Sequence, residues 1–134
     1  MHNTVVSANG GLASTVVYDN PAVSRLVMHS NIVHHGSYGV KGAGVSEGTA
    51  SLAMYSPGYL YTNNVMIAGG TASGYPANNY FASSLSDLGF ASVSGGDYRI
   101  STSSTYTNKG YDGRDIGADV NTVNSRTAGA IVAP

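Results

Sequence analysis

The stretch GYLYTNNVMIAGG at residues 58–70 decides how the rest of this sequence is interpreted. It predicts a short strand at residues 59–62, a turn at Asn63 and Asn64, and a second short strand at residues 65–68. Asparagine suits a sharp corner because it tolerates left-handed backbone angles better than most residues do. Aromatic and β-branched residues on both sides of the corner are typical of strands.

An asparagine comes before a strand-like run at four places in the chain. These residues are Asn3, Asn31, Asn64 and Asn79. If they stack on one another, we expect their side-chain amides to hydrogen-bond to each other or to the turn backbone, forming a ladder. The residues that follow would alternate between two faces of a sheet. On the face that we place inward are Val5, Val33, Met66 and Phe81.

The repeated corner predicts an all-β fold, a short right-handed parallel β-helix, or β-solenoid, in one domain over residues 1–134. Its coils would occupy residues 1–102, with a turn at residues 9–11 and a loop at residues 45–58. Residues 103–134 would form a helical or irregular cap and a tail. An antiparallel β-sandwich stays open as the competing architecture, although no Asn-Gly hairpin joins matched strands.

Composition limits the classes of partner. Charged residues are only 10% of the chain, the net charge is −1 and there are no cysteines. Nucleic acid is not expected as a partner, because phosphate binding needs clustered Lys and Arg. No apolar run is long enough for a membrane span, and the first residues lack the pattern of a signal peptide. The lack of cysteine leaves the cellular compartment open.

Several motifs together resemble a known family. They are SYGVKGAGVSEGTA at 37–50, NNVMIAGG at 63–70, YPANNYF at 75–81 and DYRISTSSTYTNKGYDGRDIGAD at 97–119. This set is similar to the carboxy-terminal part of bacterial right-handed parallel β-helix proteins of the pectate-lyase-like superfamily. The resemblance implies a secreted parent protein and contact with polysaccharide. No catalytic residue of that family can be carried over onto a matched position here.

Catalytic candidates are few. His34 and His35 lie next to each other and would face opposite sides of a strand. Ser37 follows them in His-Gly-Ser-Tyr-Gly, which departs from the Gly-x-Ser-x-Gly motif because His35 stands where that motif has glycine. Glu47 is the single glutamate, and Lys41 is the nearest lysine to it. The sequence leaves open whether the protein is an enzyme.

Two further sets of side chains point to ligands. Tyr59, Tyr61 and Asn63 would form a platform for sugar rings if their side of the strand faces outward. Asp112, Asp115 and Asp119 could surround a calcium ion, the one cofactor that the sequence leaves open. The interpretation that we favour for these carboxylates is an exposed terminal turn without metal.

The function that this sequence predicts is a non-enzymatic β-helix module that self-associates and contacts polysaccharide. Nothing in the first residues is expected to cover the unpaired edge of the first coil, so we expect a homo-oligomer, most simply a symmetric dimer. The alternative is a small polysaccharide lyase or glycoside hydrolase with its site at an oligomer interface.

Overall fold

The structure is a computed structural model of the chain, and it describes residues 1–7, 13–19 and 22–130. In chain order the strands are β1 (Thr4–Val5), β2 (Val16–Tyr18), β3 (Val27–His29), β4 (Ile32–His34), β5 (Val40–Gly42), β6 (Leu60–Thr62), β7 (Val65–Ile67), β8 (Tyr80–Ala82), β9 (Phe90–Ser92) and β10 (Asp97–Ile100). Helix α1 (Thr49–Tyr55) lies between β5 and β6, a 3₁₀ turn spans Leu85–Leu88, and helix α2 (Val120–Thr127) follows β10.

Within the described residues, the strands form four short sheets. The largest is parallel throughout, with strand order β1-β4-β7-β8. Two further parallel sheets contain β2 with β5 and β3 with β6. The fourth sheet is antiparallel and joins β9 to β10.

The predicted all-β, right-handed parallel β-helix is therefore wrong. The described residues form a mixed α/β structure of separate short sheets and two helices, and no solenoid. Helix α1 occupies the predicted loop at 45–58, where a run of Ala, Leu and Met favours a helix. After β9, a turn containing Gly95 and Gly96 reverses the chain, so that β10 returns antiparallel to β9. An antiparallel sandwich does not fit either, because the other three sheets contain only parallel pairs.

The predicted asparagine ladder is confirmed. The Oδ1 of Asn31 accepts hydrogen bonds from the backbone N–H (3.1 Å) and the side-chain amide (3.0 Å) of Asn3. The Oδ1 of Asn64 accepts the same pair from Asn31, at 3.1 and 2.9 Å. The Oδ1 of Asn79 accepts them from Asn64, at 3.0 and 3.1 Å. Each step thus saturates one amide oxygen and holds the next strand in register.

The sharp backbone angle of each corner lies one residue before the ladder asparagine. These preceding residues all have positive φ: His2 at 53°, Ser30 at 58°, Asn63 at 52° and Asn78 at 64°. The prediction that the ladder asparagine itself adopts this conformation is wrong. Left-handed backbone is unfavourable for residues with a side chain, and the hydrogen bonds of the ladder offset that cost.

The four-stranded sheet is buried on both faces, which suits parallel strands. On one face Val33 and Met66 pack into a core with Leu52 and Tyr61, and Phe81 packs against it. This confirms the predicted inward face, except that Val5 at the sheet edge is 53% exposed. The hydrophobic residues buried on the opposite face include Ile32, Val65, Ile67 and Ala82.

The chain after β8 covers this second face. Leu88 and Ile116 are fully buried against it, and Phe90, Ile100 and Tyr106 pack around them. The cap was predicted to begin at residue 103, but the covering segment already includes Leu88, Phe90 and Ile100. Part of that predicted cap, residues 131–134, lies outside the described residues, as does the predicted turn at 9–11. Within the described ranges, no helix is both long enough and apolar enough to cross a membrane.

Replacing Asn64 by alanine tests the ladder. Asn64 is fully buried, and its amide also donates to the carbonyl of Met28 at 2.9 Å. Asn64→Ala leaves several buried groups unpaired and should lower the free energy of unfolding by about 3 kcal/mol, as measured by urea denaturation. Asn3→Ala, at the exposed end of the ladder, serves as the control and should cost about 1 kcal/mol. Equal losses in the two variants would contradict this account.

Candidate functional site

The structure brings together two of the predicted catalytic residues. The Nε2 of His35 lies 3.5 Å from the Oε1 of Glu47. The same nitrogen lies 2.9 Å from the hydroxyl of Tyr75, a residue that the sequence analysis did not single out. His34 belongs to β4 and lies in register with Ile67 on the other face, as strand alternation predicts. Glu47, His35 and Tyr75 therefore form the candidate site.

The hydrogen bonds around His35 run in one direction. The backbone N–H of Val40 donates to the hydroxyl oxygen of Tyr75 at 3.1 Å. The Nδ1 of His35 is 2.8 Å from the carbonyl oxygen of Gly36, so Nδ1 carries a proton. With Nδ1 protonated in this way, Nε2 can accept the hydroxyl proton of Tyr75. The hydrogen-bonding atoms of Val40, Tyr75 and His35 in this series then each have a partner.

Three glycines allow the imidazole to sit this deeply. A Cβ on Gly39 would lie 2.3 Å from the Nε2 of His35, and one on Gly69 would lie 2.5 Å from the Nδ1. A Cβ on Gly70 would lie 3.0 Å from the Cδ2 of the ring. Side chains at these positions would collide with the imidazole, so the glycines on both flanking loops are part of the site.

The burial and protonation of these side chains suit a structural role better than a catalytic one. The His35 side chain is only 4% exposed, whereas that of Glu47 is 39% exposed. Burial raises the pKa of Tyr75 to about 12, although the hydrogen bond from Val40 opposes the shift. A phenol with such a pKa holds its proton near neutral pH and cannot act as a general base there.

The remaining catalytic candidates are not assembled with this group. Ser37 lies in an exposed turn, and across the described ranges no hydrogen bond joins it to His34 or His35. The ammonium group of Lys41 donates a hydrogen bond to the carbonyl of Val45. The structure therefore supports neither a serine–histidine pair nor a lysine base beside His35.

The predicted sugar platform is not present on the surface. Tyr61 is 2% exposed within the core, where its hydroxyl lies 3.6 Å from the Sδ of Met66. Burial raises the pKa of its hydroxyl strongly. Tyr59 is half-buried against the same core, and the amide of Asn63 donates to the carbonyl of Lys109 at 2.8 Å. The strand turns its tyrosines inward, so the condition for the platform is not met.

Each of the three predicted calcium-binding carboxylates has a partner within the chain. Asp112 lies 3.2 Å from the Nε2 of His2, and Asp115 accepts the backbone N–H of Asn108 at 2.8 Å. Asp119 caps α2 by accepting the N–H of Thr122 at 2.9 Å. In the part of the chain that the structure describes, no group of three or more His, Asp or Glu side chains could hold a metal ion.

A polar cleft of about 670 Å³ lies beside α2 and β10. Arg99, Arg114 and Arg126 line it together with Asp115 and Asp119. The Arg99 guanidinium also lowers the pKa of Asp97 to about 2. The positive charge of Arg99 is therefore already paired with the carboxylate of Asp97. With both signs of charge present, the cleft shows no preference for an anion or a cation.

The second candidate surface is a free sheet edge. Strands β1, β2 and β3 are each the last strand of a parallel sheet as far as the described residues extend. Each carries an exposed valine: Val5 at 53%, Val17 at 69% and Val27 at 53%. We name the edges of β1, β2 and β3 together the first-strand edge. It carries a shallow groove of about 250 Å³ lined by Leu26, Met28 and Val33 among others.

Comparison with known proteins does not place the chain in a family. No protein-family model, curated protein or solved structure matches the chain. The resemblance to the pectate-lyase-like superfamily therefore stays a prediction, and any function must be argued from the surfaces described above.

Replacing Tyr75 by phenylalanine tests the buried chain around His35. The change leaves the Val40 N–H and the His35 Nε2 without their buried partner. The free energy of unfolding should fall by about 2 kcal/mol in urea denaturation at neutral pH. Tyr38→Phe, at a side chain that is 54% exposed, should change it by less than about 0.5 kcal/mol. A loss no larger at Tyr75 than at Tyr38 would refute the proposed hydrogen bonding.

Alkaline pH should destabilise the fold through the same residue. The pKa of Tyr75 is about 12 in the folded chain and about 10 when unfolded, so the unfolded chain loses its proton first. Stability is therefore lost as pH rises from about 10 to about 12. Urea denaturation across this range should show a smaller loss in Tyr75→Phe than in the unmodified protein. Identical slopes would show that Tyr75 does not contribute.

Proposed function

We propose that the protein is a non-enzymatic module that self-associates through the first-strand edge. The single observation that carries this proposal is that three parallel sheets end on β1, β2 and β3, each with an exposed valine. Unpaired strand edges offer rows of backbone N–H and C=O groups, which other strands readily bind. Hydrophobic side chains along such an edge make the pairing more favourable.

The asparagine ladder supports the same surface. Each ladder oxygen from Asn31 to Asn79 accepts two hydrogen bonds, whereas the Oδ1 of Asn3 accepts none from the described residues. Asn3 is exposed at the end of the ladder, beside Val5. A strand added next to β1 would supply donors to this oxygen and continue the pattern of contacts.

A second copy of the chain is the occupant that we propose. Its net charge of −1 gives little electrostatic repulsion between copies. A two-fold axis beside β1 would bring β1 of one copy antiparallel to β1 of the other and bury both valine rows in one contact. Val5, Val17 and Val27 would then become core residues of a symmetric dimer.

Polysaccharide contact is the second part of this proposal, and it is supported by the family resemblance. Tyr61 is buried, so the rings that could stack on a sugar are exposed ones, such as Tyr38 at 54%. Retarded migration in gels containing pectin, alginate or chondroitin would support this contact. Loss of the retardation in Tyr38→Ala would assign the ring, and unchanged migration of the unmodified protein would reject the contact.

A small polysaccharide lyase or hydrolase is the second candidate function. The distance of 3.5 Å between His35 and Glu47 is the observation that favours it. Incubation with pectin, alginate and chondroitin, followed by ultraviolet absorbance of unsaturated products and by reducing ends, tests it directly. Product formation that Glu47→Gln abolishes would establish the enzyme. We expect no product, because the His35 side chain is 4% exposed.

Self-association is measured most simply by light scattering after size exclusion. We expect a dimer for the unmodified protein and a monomer for Val17→Lys and Val27→Lys, because each substitution places charges in the apolar contact. Val123→Lys is the matched control, since Val123 is 52% exposed on α2, outside the first-strand edge. A monomer at all concentrations, or dissociation in the control, would reject the proposed surface.

A further inference from the structure

Four side chains from three parts of the chain meet where the covering segment packs against the sheet. His2 precedes β1, His29 ends β3, and Tyr111 and Asp112 belong to the segment that covers the sheet. The rings of His29 and Tyr111 have centroids 4.8 Å apart, and those of His2 and His29 are 6.4 Å apart. We name His2, His29, Tyr111 and Asp112 the histidine cluster.

Backbone hydrogen bonds beside the histidine cluster hold residues 110–118 against the sheet. The backbone N–H of Tyr111 donates to the Oγ of Ser30 at 2.9 Å, and that of Gly117 donates to the carbonyl of Ser30 at 2.9 Å. The N–H of Ala118 donates to the Oγ1 of Thr4 at 3.0 Å. These bonds place Ile116 in the buried second face of the sheet. Residues 110–118 therefore act as a clasp over that face.

His29 is neutral when the clasp is closed. Its side chain is buried, and its Nδ1 lies 3.1 Å from the Oγ of Ser30, the atom that accepts the Tyr111 N–H. A neutral Nδ1 can accept the Ser30 hydroxyl proton, whereas a protonated Nδ1 can only donate to the Ser30 oxygen, which already accepts the Tyr111 N–H. Burial lowers the pKa of His29, and the amino group of Met1 and the ring of His2 lower it further, although Asp112 opposes them.

We propose that the clasp is pH-sensitive: acidification charges His29 in its buried position and releases residues 110–118 from the sheet. The released form leaves the imidazole in water, where it binds a proton more readily than in the closed form. The closed form is therefore most stable relative to the released form above the ordinary histidine pKa of about 6.5. Its relative stability falls as the pH drops below that value. Histidine is the side chain suited to such a change near neutral pH.

His2 also contacts the clasp. Its Nδ1 lies 3.3 Å from the carbonyl oxygen of Gly117, and its Nε2 lies 3.2 Å from a carboxylate oxygen of Asp112. The Asp112 side chain is 43% exposed, so water weakens the contact between this carboxylate and His2. The pH dependence that we propose therefore rests on buried His29.

Opening of the clasp would uncover apolar surface. Ile32, Val65 and Ile67 are fully buried, and Ile116 is part of their cover. Their exposure at mildly acidic pH would create a second adhesive surface that is absent at neutral pH. This inference does not rest on the proposed self-association, because the hydrogen bonds and ring contacts of the clasp are all made within one chain.

Hydrogen exchange at single amides tests the clasp. The reporters are the N–H groups of Tyr111, Gly117 and Ala118, and the N–H of Val65, which donates to the carbonyl of Asn31, monitors the sheet itself. Between about pH 7.5 and about pH 5, protection of the three reporters, corrected for the intrinsic rate, should fall several-fold while Val65 stays protected. His34→Gln, a histidine change outside the cluster, should behave like the unmodified protein.

Two variants separate the two histidines of the cluster. His29→Gln should abolish the acid-induced loss of protection, and His2→Gln should retain it. If a variant fails to fold, an NMR titration of the unmodified protein replaces it, and the His29 ring should titrate with the same midpoint as the loss of protection. The proposal is overturned if protection of the reporters is constant with pH, if His29→Gln loses as much as the unmodified protein, or if the two midpoints differ.

Discussion

The hydrogen-bonded stack of Asn3, Asn31, Asn64 and Asn79 is the constraint on which the rest of the structure depends. The strands that follow these residues are only two or three residues long, too short to fix their own register by backbone pairing. The side-chain oxygens of Asn31, Asn64 and Asn79 each accept two hydrogen bonds from the neighbouring asparagine, so a shift by one residue would break the side-chain bonds and the strand pairing together. The ladder thereby sets which side chains face each core.

Burial of the large sheet on both faces follows from that register. Val33 and Met66 enter one core, and Ile32 and Val65 enter the other. Short parallel strands with two apolar faces need cover on each side. Helix α1 supplies part of the first cover through Leu52, and the chain after β8 supplies the second through Leu88 and Ile116. The first-strand edge is not covered in this way, and its three valines are exposed.

The sequence predicted the ladder and the alternation of faces because both depend on residue type at fixed spacing around a corner. It did not predict α1, because that helix has no side-chain cap at Gly48 and no acidic residue in its first turn. The signal for α2 was present in Asp119, which caps it, but this carboxylate was interpreted as part of an exposed terminal turn. Tyr75 could not be found from sequence, because its partner His35 lies 40 residues away and no spacing links them.

Exchange of the asparagine side-chain amide protons is the measurement that tests the central claim most directly. In Asn31 and Asn64 both amide protons are donated inside the protein, to a backbone carbonyl and to the next asparagine, whereas Asn124 lies exposed on α2. Heteronuclear NMR should therefore show slow exchange with solvent for the Asn31 and Asn64 amides and fast exchange for that of Asn124. Fast exchange at all three residues would contradict the ladder and the register derived from it.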